Sequence, residues 1–246
     1  MNIAVGALRY VLLIVFSVFF IFTYFYMLTR SLMSLSEVNA KNFLLFPSEL
    51  HFENYKVIID YLPALRNTLV VIIMNGFFIP LTGAMIAFPF ARYRFKGKKV
   101  MFSLLMATVM LPGSVTTIPL YVMYSKLNLL DTLASQWVGA FFGGSAMQIF
   151  LIIQFMRGIP KELDNAAYLD GANKFIVFTR IMLPLCFNIL VYTSIGVILA
   201  KWNDFPGPVV YLRSESKYTM AVAFYYDFSQ SGVKALFINY KMAMTT

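Results

Sequence analysis

The stretch PKELDNAAYLDGANKFIVFTRIMLP, from Pro160 to Pro184, is a polar interruption between two long apolar runs. It gathers carboxylates (Glu162, Asp164, Asp170), small residues (Ala166, Ala167, Gly171) and cations (Lys174, Arg180). By residue type alone the stretch fits an ordinary interfacial loop with a helical turn as well as it fits a surface for a partner. Elsewhere the residues that could do chemistry are sparse. His51 is the only histidine, and no H-E-x-x-H occurs to hold a catalytic zinc. Cys186 is the only cysteine, so there is neither an intrachain disulfide nor a cysteine metal cluster, and its apolar setting reads as a small packing residue. Asp131 and Asp204 stand isolated in the sequence. FKGKK contains Gly97-Lys98 but lacks the upstream glycine and following hydroxyl of a phosphate-binding loop.

Within the stretch, local rules predict a short helix, a turn and a second helix. Pro160 suits an early helical position, and Glu162 and Asp164 complement the positive end of the helix dipole. Ala166 and Ala167 favour helix and allow close backbone approach by another surface. Gly171 can take the left-handed geometry that ends a helix. After it Phe175, Phe178 and Met182 recur at spacings of three and four, making one apolar face. Pro184 is expected near the start of an apolar span, where a missing amide costs least.

The elements that must position this stretch are apolar. Of all residues 60% are hydrophobic and only 13% charged, and mean hydropathy is +0.73. A soluble domain of this length needs more polar surface, so a multi-spanning membrane protein is expected. Its 25 phenylalanines and 15 tyrosines suit lipid-facing and interfacial positions. Crossing the hydrocarbon core takes about 20 apolar residues. Five stretches meet that need: about 10–28, 68–91, 100–121, 136–155 and 181–200. The first is longer than a signal-peptide core and lacks a prompt cleavage site, so it reads as a retained anchor. The net charge of +9 lies between apolar runs, which points to membrane orientation rather than nucleic acid. Arg92, Arg94, Lys96, Lys98 and Lys99 crowd into one short loop, which places that loop, the N-terminus and the 157–180 loop in the cytoplasm.

The spacing in the opening stretch resembles the signature loop of ATP-binding-cassette importer permeases: Glu-Ala-Ala, three residues, Gly, nine residues, Ile-x-Leu-Pro. Ala166, Ala167, Gly171, Ile181, Leu183 and Pro184 match it. Asp170 and Ala172 match the longer form of the carbohydrate branch, similar to maltose permeases, while Asn165 replaces the family glutamate. Further segments resemble the family in order: Asn54-Tyr55, Asn67-Thr68, Ala91-Arg92 with Phe95 and Gly97, Pro112 with Pro119 to Tyr121, and WNDFPGPVVYL from Trp202. The resemblance implies an all-α polytopic transmembrane helical bundle, a single permease domain over 1–246. It has five spans, and the family's sixth is missing at the C-terminus, where the chain ends as a fragment would. It also implies a coupling helix over about 161–172, docked on a cytoplasmic ATPase dimer, with Glu162, Asn165, Ala166, Ala167, Asp170, Gly171 and Ala172 at or near the contact and Ile181, Leu183 and Pro184 completing the coupling set. Further implied partners are a second permease subunit (a heterodimer), an extracytoplasmic sugar-binding protein and membrane lipid. No cofactor is expected on this chain; ATP and magnesium belong to the ATPase.

A sugar path needs polar and aromatic groups inside the bundle. Candidates are Asn75, Asn188, Tyr192 and Trp202, with Gln148, Gln154, Asn203 and Asp204 behind them. Hydrogen bonding between helices is the commoner use of such residues. The competing classes are an ion-coupled secondary transporter or channel and a membrane enzyme. The first favours carboxylates at mid-span, and the sequence has none there.

Overall fold

The computed structural model describes residues 3–40, 44–229 and 237–245. Among these residues every regular element is helical. The main helices are α1 (Ile3–Ser31), α2 (Leu62–Arg92), α3 (Lys98–Met110), α4 (Gly113–Lys126), α5 (Ala146–Gly158), α6 (Glu162–Leu169), α7 (Lys174–Leu185), α8 (Phe187–Trp202), α9 (Pro206–Tyr211), α10 (Met220–Phe228) and α11 (Ile238–Thr245). Only α1 and α2 are each long and apolar enough to cross a bilayer alone; the bent pairs α3–α4 and α7–α8 become so when taken as one span.

The helices depart from the expected apolar stretches where the backbone forces a break. Between α3 and α4 the direction turns by 103°. Pro112 has no amide hydrogen and drives Leu111 into extended geometry, so the helix cannot continue through it. The stretch 136–155 becomes helical only at Ala146. Gly143 and Gly144 before it have φ of +92° and +66°, and a Cβ on Gly144 would lie 2.5 Å from Ile79. Positive φ stops the helix, and the tight fit reserves the place for glycine. The resulting α5 is 13 residues, short of the length a span needs. Between α7 and α8 the chain turns by 71° at Cys186, after a π-helical turn over Val177–Met182. Pro184 therefore lies inside α7 rather than at the start of a straight fifth span. Its missing amide and bulky ring leave the turn before it wider than an α-turn.

The chain divides into two compact units where the sequence suggests a single domain. One comprises Met1–Pro63 and Ala223–Thr246. Its long helix α1 exposes large apolar side chains around its whole girth, Ile14, Phe19 and Tyr24 among them. Such a surface suits lipid rather than water. At its end Asn54 is buried, and its amide donates to the Ser31 and Met33 carbonyls at 2.8 and 2.9 Å. Asn239 of α11 donates to Asn54 Oδ1 at 3.1 Å. Glu37 and Ser34 form a capping box, and Ser48 N donates to Glu37 Oε1 at 2.9 Å.

The other unit, Ala64–Val222, holds the larger core. Ala84, Ala87 and Phe88 of α2 pack with Ile152, Ile153 and Met156 of α5, Ala167 of α6 and Val177, Phe178 and Met182 of α7. Cys186 is fully buried there, as a packing residue. Asn67 and Thr68 near the start of α2 fasten the segment before α10: Asn67 donates to the Ser216 and Tyr218 carbonyls, and Thr68 Oγ1 accepts from Met220 N.

Candidate functional site

Helix α6 is only eight residues long, too short to stand alone in water. Its position comes from tertiary contacts on one side. At 100° per residue, Asp164, Ala167 and Tyr168 fall within an arc of about 100°. Asp164 and Ala167 are buried against the chain's own core, while Glu162, Asn165, Ala166 and Leu169, on the opposite arc, are exposed. Leu169 is 89% exposed, the most exposed large apolar side chain of the described residues. The two alanines, expected to act together, thus lie about 100° apart, one on the open arc and one on the buried arc. Ala167 serves the fold and Ala166 is open to a visitor. Asp164, too, is no substitute for the missing glutamate, because it points inward.

The inward grip is ionic as well as apolar. Arg92, the last residue of α2, places Nε 3.0 Å from Asp164 Oδ2, with both side chains almost wholly buried. Arg92 Nη1 donates to the Ile159 carbonyl at 2.9 Å and Nη2 to Met182 Sδ at 3.3 Å. The neighbouring Tyr93 hydroxyl lies 2.9 Å from the Tyr168 hydroxyl, and Lys174 sits over the Tyr93 ring. Burial pushes the Asp164 carboxyl above the usual carboxylate range, against the downward pull of Arg92 and Lys161.

The end of α6 is a Schellman turn. Gly171 has φ of +83°, its amide donates to the Tyr168 carbonyl, and Ala172 N donates to the Ala167 carbonyl. Asp170 and Gly171 are exposed, and Ala172 is half-buried against the core. Asn173 then caps α7 by accepting from Ile176 N at 2.9 Å. Ile181 and Leu183 pack against the core, and Pro184 is exposed.

The path candidates separate. Asn188, Tyr192 and Trp202 lie on one exposed stripe of α8 with Ile195 and Leu199. These five fall within an arc of about 80°. Asn75 is not on it. Asn75 is buried in α2, and its amide donates to the carbonyls of Val71 and Gln136 at 2.8 and 3.0 Å. It borders a cavity of about 310 Å³ with Tyr124, Gln136, Lys201, Asp204 and Tyr211. Asp131 and Asp204, isolated in sequence, both have partners. Asp131 accepts from the amides of Arg213 and Ser214, each at 2.9 Å, and pairs with Lys217; Asp204 pairs with Lys201 at 2.8 Å. In the sequence Arg92 reads as the first cation of the basic loop, and its partner lies 72 positions on.

The chain is thus a helical membrane protein that holds a short helix against the end of a long span and leaves one face of it open. The sequence model for binding-protein-dependent transport system inner membrane components matches residues 79–242, and the chain belongs to that family. A Caldicellulosiruptor sp. protein named as an ABC transporter permease is 30% identical over 200 residues, covering 80% of this chain and 72% of that protein. The arabinooligosaccharides transport system permease protein AraQ of Bacillus subtilis is 29% identical over 212 residues, 84% of this chain and 75% of that one. In fold, the chain is similar to a chain in the crystal structure of a bacterial ABC transporter involved in the import of the acidic polysaccharide alginate. The TM-score is 0.83 at 22% identity, over 98% of this chain and 88% of the other.

Proposed function

We propose that this chain is the permease subunit of an ATP-driven importer that carries a sugar or oligosaccharide across the cytoplasmic membrane. The observation that carries this reading is α6: buried on the side of Asp164 and Ala167, open on the side of Glu162, Asn165, Ala166 and Leu169. That open face docks in a groove of a separate ATPase dimer, which holds the ATP and magnesium. The small Ala166 allows close approach and Leu169 supplies an apolar anchor. Asn165 offers hydrogen bonds where the family has a charge, so Glu162 is the one carboxylate on that face. Closure of the ATPase around ATP moves α6, and the spans swing between inward-open and outward-open packings.

The basic loop from Arg92 to Lys99, α6 and the N-terminus lie on the cytoplasmic side. The exposed stripe of α8 with Asn188, Tyr192 and Trp202 faces a second, non-identical permease subunit across the sugar path. A binding protein delivers the sugar on the other side. Carbohydrate is supported by the names of relatives such as AraQ and the melibiose/raffinose/stachyose import permease MelC.

The test is cross-linking in the assembled transporter. With Cys186 replaced by Ala, Ala166→Cys and Leu169→Cys are each paired with cysteines in the ATPase groove. Both are expected to cross-link with a yield that changes with ATP, while Ala167→Cys, facing inward, does not. Absence of any cross-link from a complex that assembles would refute the docking role.

A further inference from the structure

We infer that Arg92 and Asp164 form the contact through which movement of α6 reaches the long helix α2, so that they act as positioning residues for coupling; this rests on the function proposed above. Arg92, the last residue of α2, and Tyr93 just after it grip two residues one turn apart on α6. Arg92 holds Asp164, and the Tyr93 hydroxyl meets that of Tyr168. Arg92 also binds the Ile159 carbonyl just before α6 and the Met182 sulfur beyond it. A single guanidinium therefore touches the approach to the docking helix, the helix itself and α7.

Three features make this a transmission contact rather than incidental packing. First, α2 stays helical for 31 residues, about 45 Å at the α-helical rise, through interior Pro80 and Pro89, which each remove one backbone hydrogen bond. The covalent route out of α6 is more compliant: it passes a left-handed turn at Gly171, a π-helical turn at Val177–Met182 and a 71° bend at Cys186. Second, the pair is dry, with Arg92 2% and Asp164 9% exposed, so water does not screen the attraction. Third, Asp164 Oδ1 is buried without a hydrogen-bond partner among the described residues, so the carboxylate depends on its contact with Arg92. A buried pair of that kind fixes one relative position, whereas apolar side chains at the same place could slide past each other.

The experiment uses the whole importer, with binding protein, both permeases and ATPase, in proteoliposomes. It reads sugar molecules accumulated per ATP hydrolysed, together with the Ala166→Cys cross-link as a report of docking. Asp164→Asn keeps the shape and removes the charge. The expected result is a retained cross-link, continued ATP hydrolysis and a fall in sugar per ATP of about 5- to 150-fold. Arg92→Met with Asp164→Leu removes both charges and leaves no orphan, so it guards against simple misfolding; it is expected to fold and dock, yet to remain uncoupled. Unchanged sugar per ATP in Asp164→Asn, or full coupling in the apolar pair, would overturn the clamp while leaving the importer reading in place. A wild-type complex with no ATP-dependent uptake would sink both.

Discussion

Replacing each of the two adjacent alanines of α6 by leucine separates the fold from the docking surface. Ala167 is buried among Phe88, Val177, Phe178 and Met182. Three extra carbons there must push aside packed neighbours, at about 1–3 kcal/mol. For a chain of this size each kcal/mol lowers the unfolding midpoint by about 2–4 °C. Ala166 is exposed, so Ala166→Leu changes stability by no more than about 0.5 kcal/mol. In the docked complex proposed above the order inverts. Ala166 is then the buried alanine, and overpacking against the ATPase by about 1–3 kcal/mol weakens binding about 5- to 150-fold. Stability is read in detergent with a thiol-reactive dye on Cys186, the single cysteine, which is fully buried until the unit opens. Affinity is read by titrating ATPase onto the immobilised permease. Ala167→Leu should lower the midpoint, and Ala166→Leu should weaken binding at an unchanged midpoint. The opposite pattern would refute the assignment of faces.

Two further outcomes follow from the hydrogen bonds. Asn75→Ala removes the donor to the buried Gln136 carbonyl and should destabilise the transmembrane unit by about 1–3 kcal/mol, with the apparent KM for sugar unchanged; a raised KM at unchanged stability would instead make Asn75 a path residue. Glu37 is lowered to about 2 by hydrogen bonds from the Ser34 and Ser48 amides and hydroxyls. A depressed carboxylate stabilises above its unfolded value of 4.5, and that contribution is lost as pH falls toward 2. Cleavage by pepsin near Ser34–Glu37 in the wild type, taken relative to Glu37→Gln at the same pH so that the protease's own pH dependence cancels, should therefore rise as pH falls from 4.5 to 2.

How much of this was legible in the sequence depends on the range of the interactions. The turn at Gly171 was readable because a glycine at a helix end is a local matter, and the structure gives it φ of +83°. The membrane class and the buried thiol were equally local, being set by composition. The late start of α5 was written in Gly143-Gly144, yet continuous hydrophobicity masked it. The tie of Asp131 to Arg213 and Ser214 was not legible, since it spans more than 80 residues and depends on how two loops meet. The Arg92–Asp164 pair is hidden in the same way. Asn75 shows a different limit: a polar residue in a span reads alike whether it meets a substrate or a carbonyl, and only its partner decides.

The two faces of α6 also explain why such a short helix must be held by charge. Eight residues cannot sustain a helix by propensity, so packing must supply the rest. An apolar face wide enough to do that alone would have to include the arc now taken by Asn165 and Ala166, which would close the surface a partner needs. Concentrating the grip in a dry ion pair, one tyrosine contact and one buried alanine holds the helix through a narrow arc and leaves the opposite arc free. The same economy makes the grip fragile. Removing one member of a buried pair strands the other charge, at about 3–5 kcal/mol, whereas replacing both by apolar groups can be neutral. Arg92→Ala should therefore destabilise the protein more than Arg92→Met with Asp164→Leu. If coupling rather than stability is what the pair serves, the double variant should be stable, and the importer that contains it should hydrolyse ATP without moving sugar.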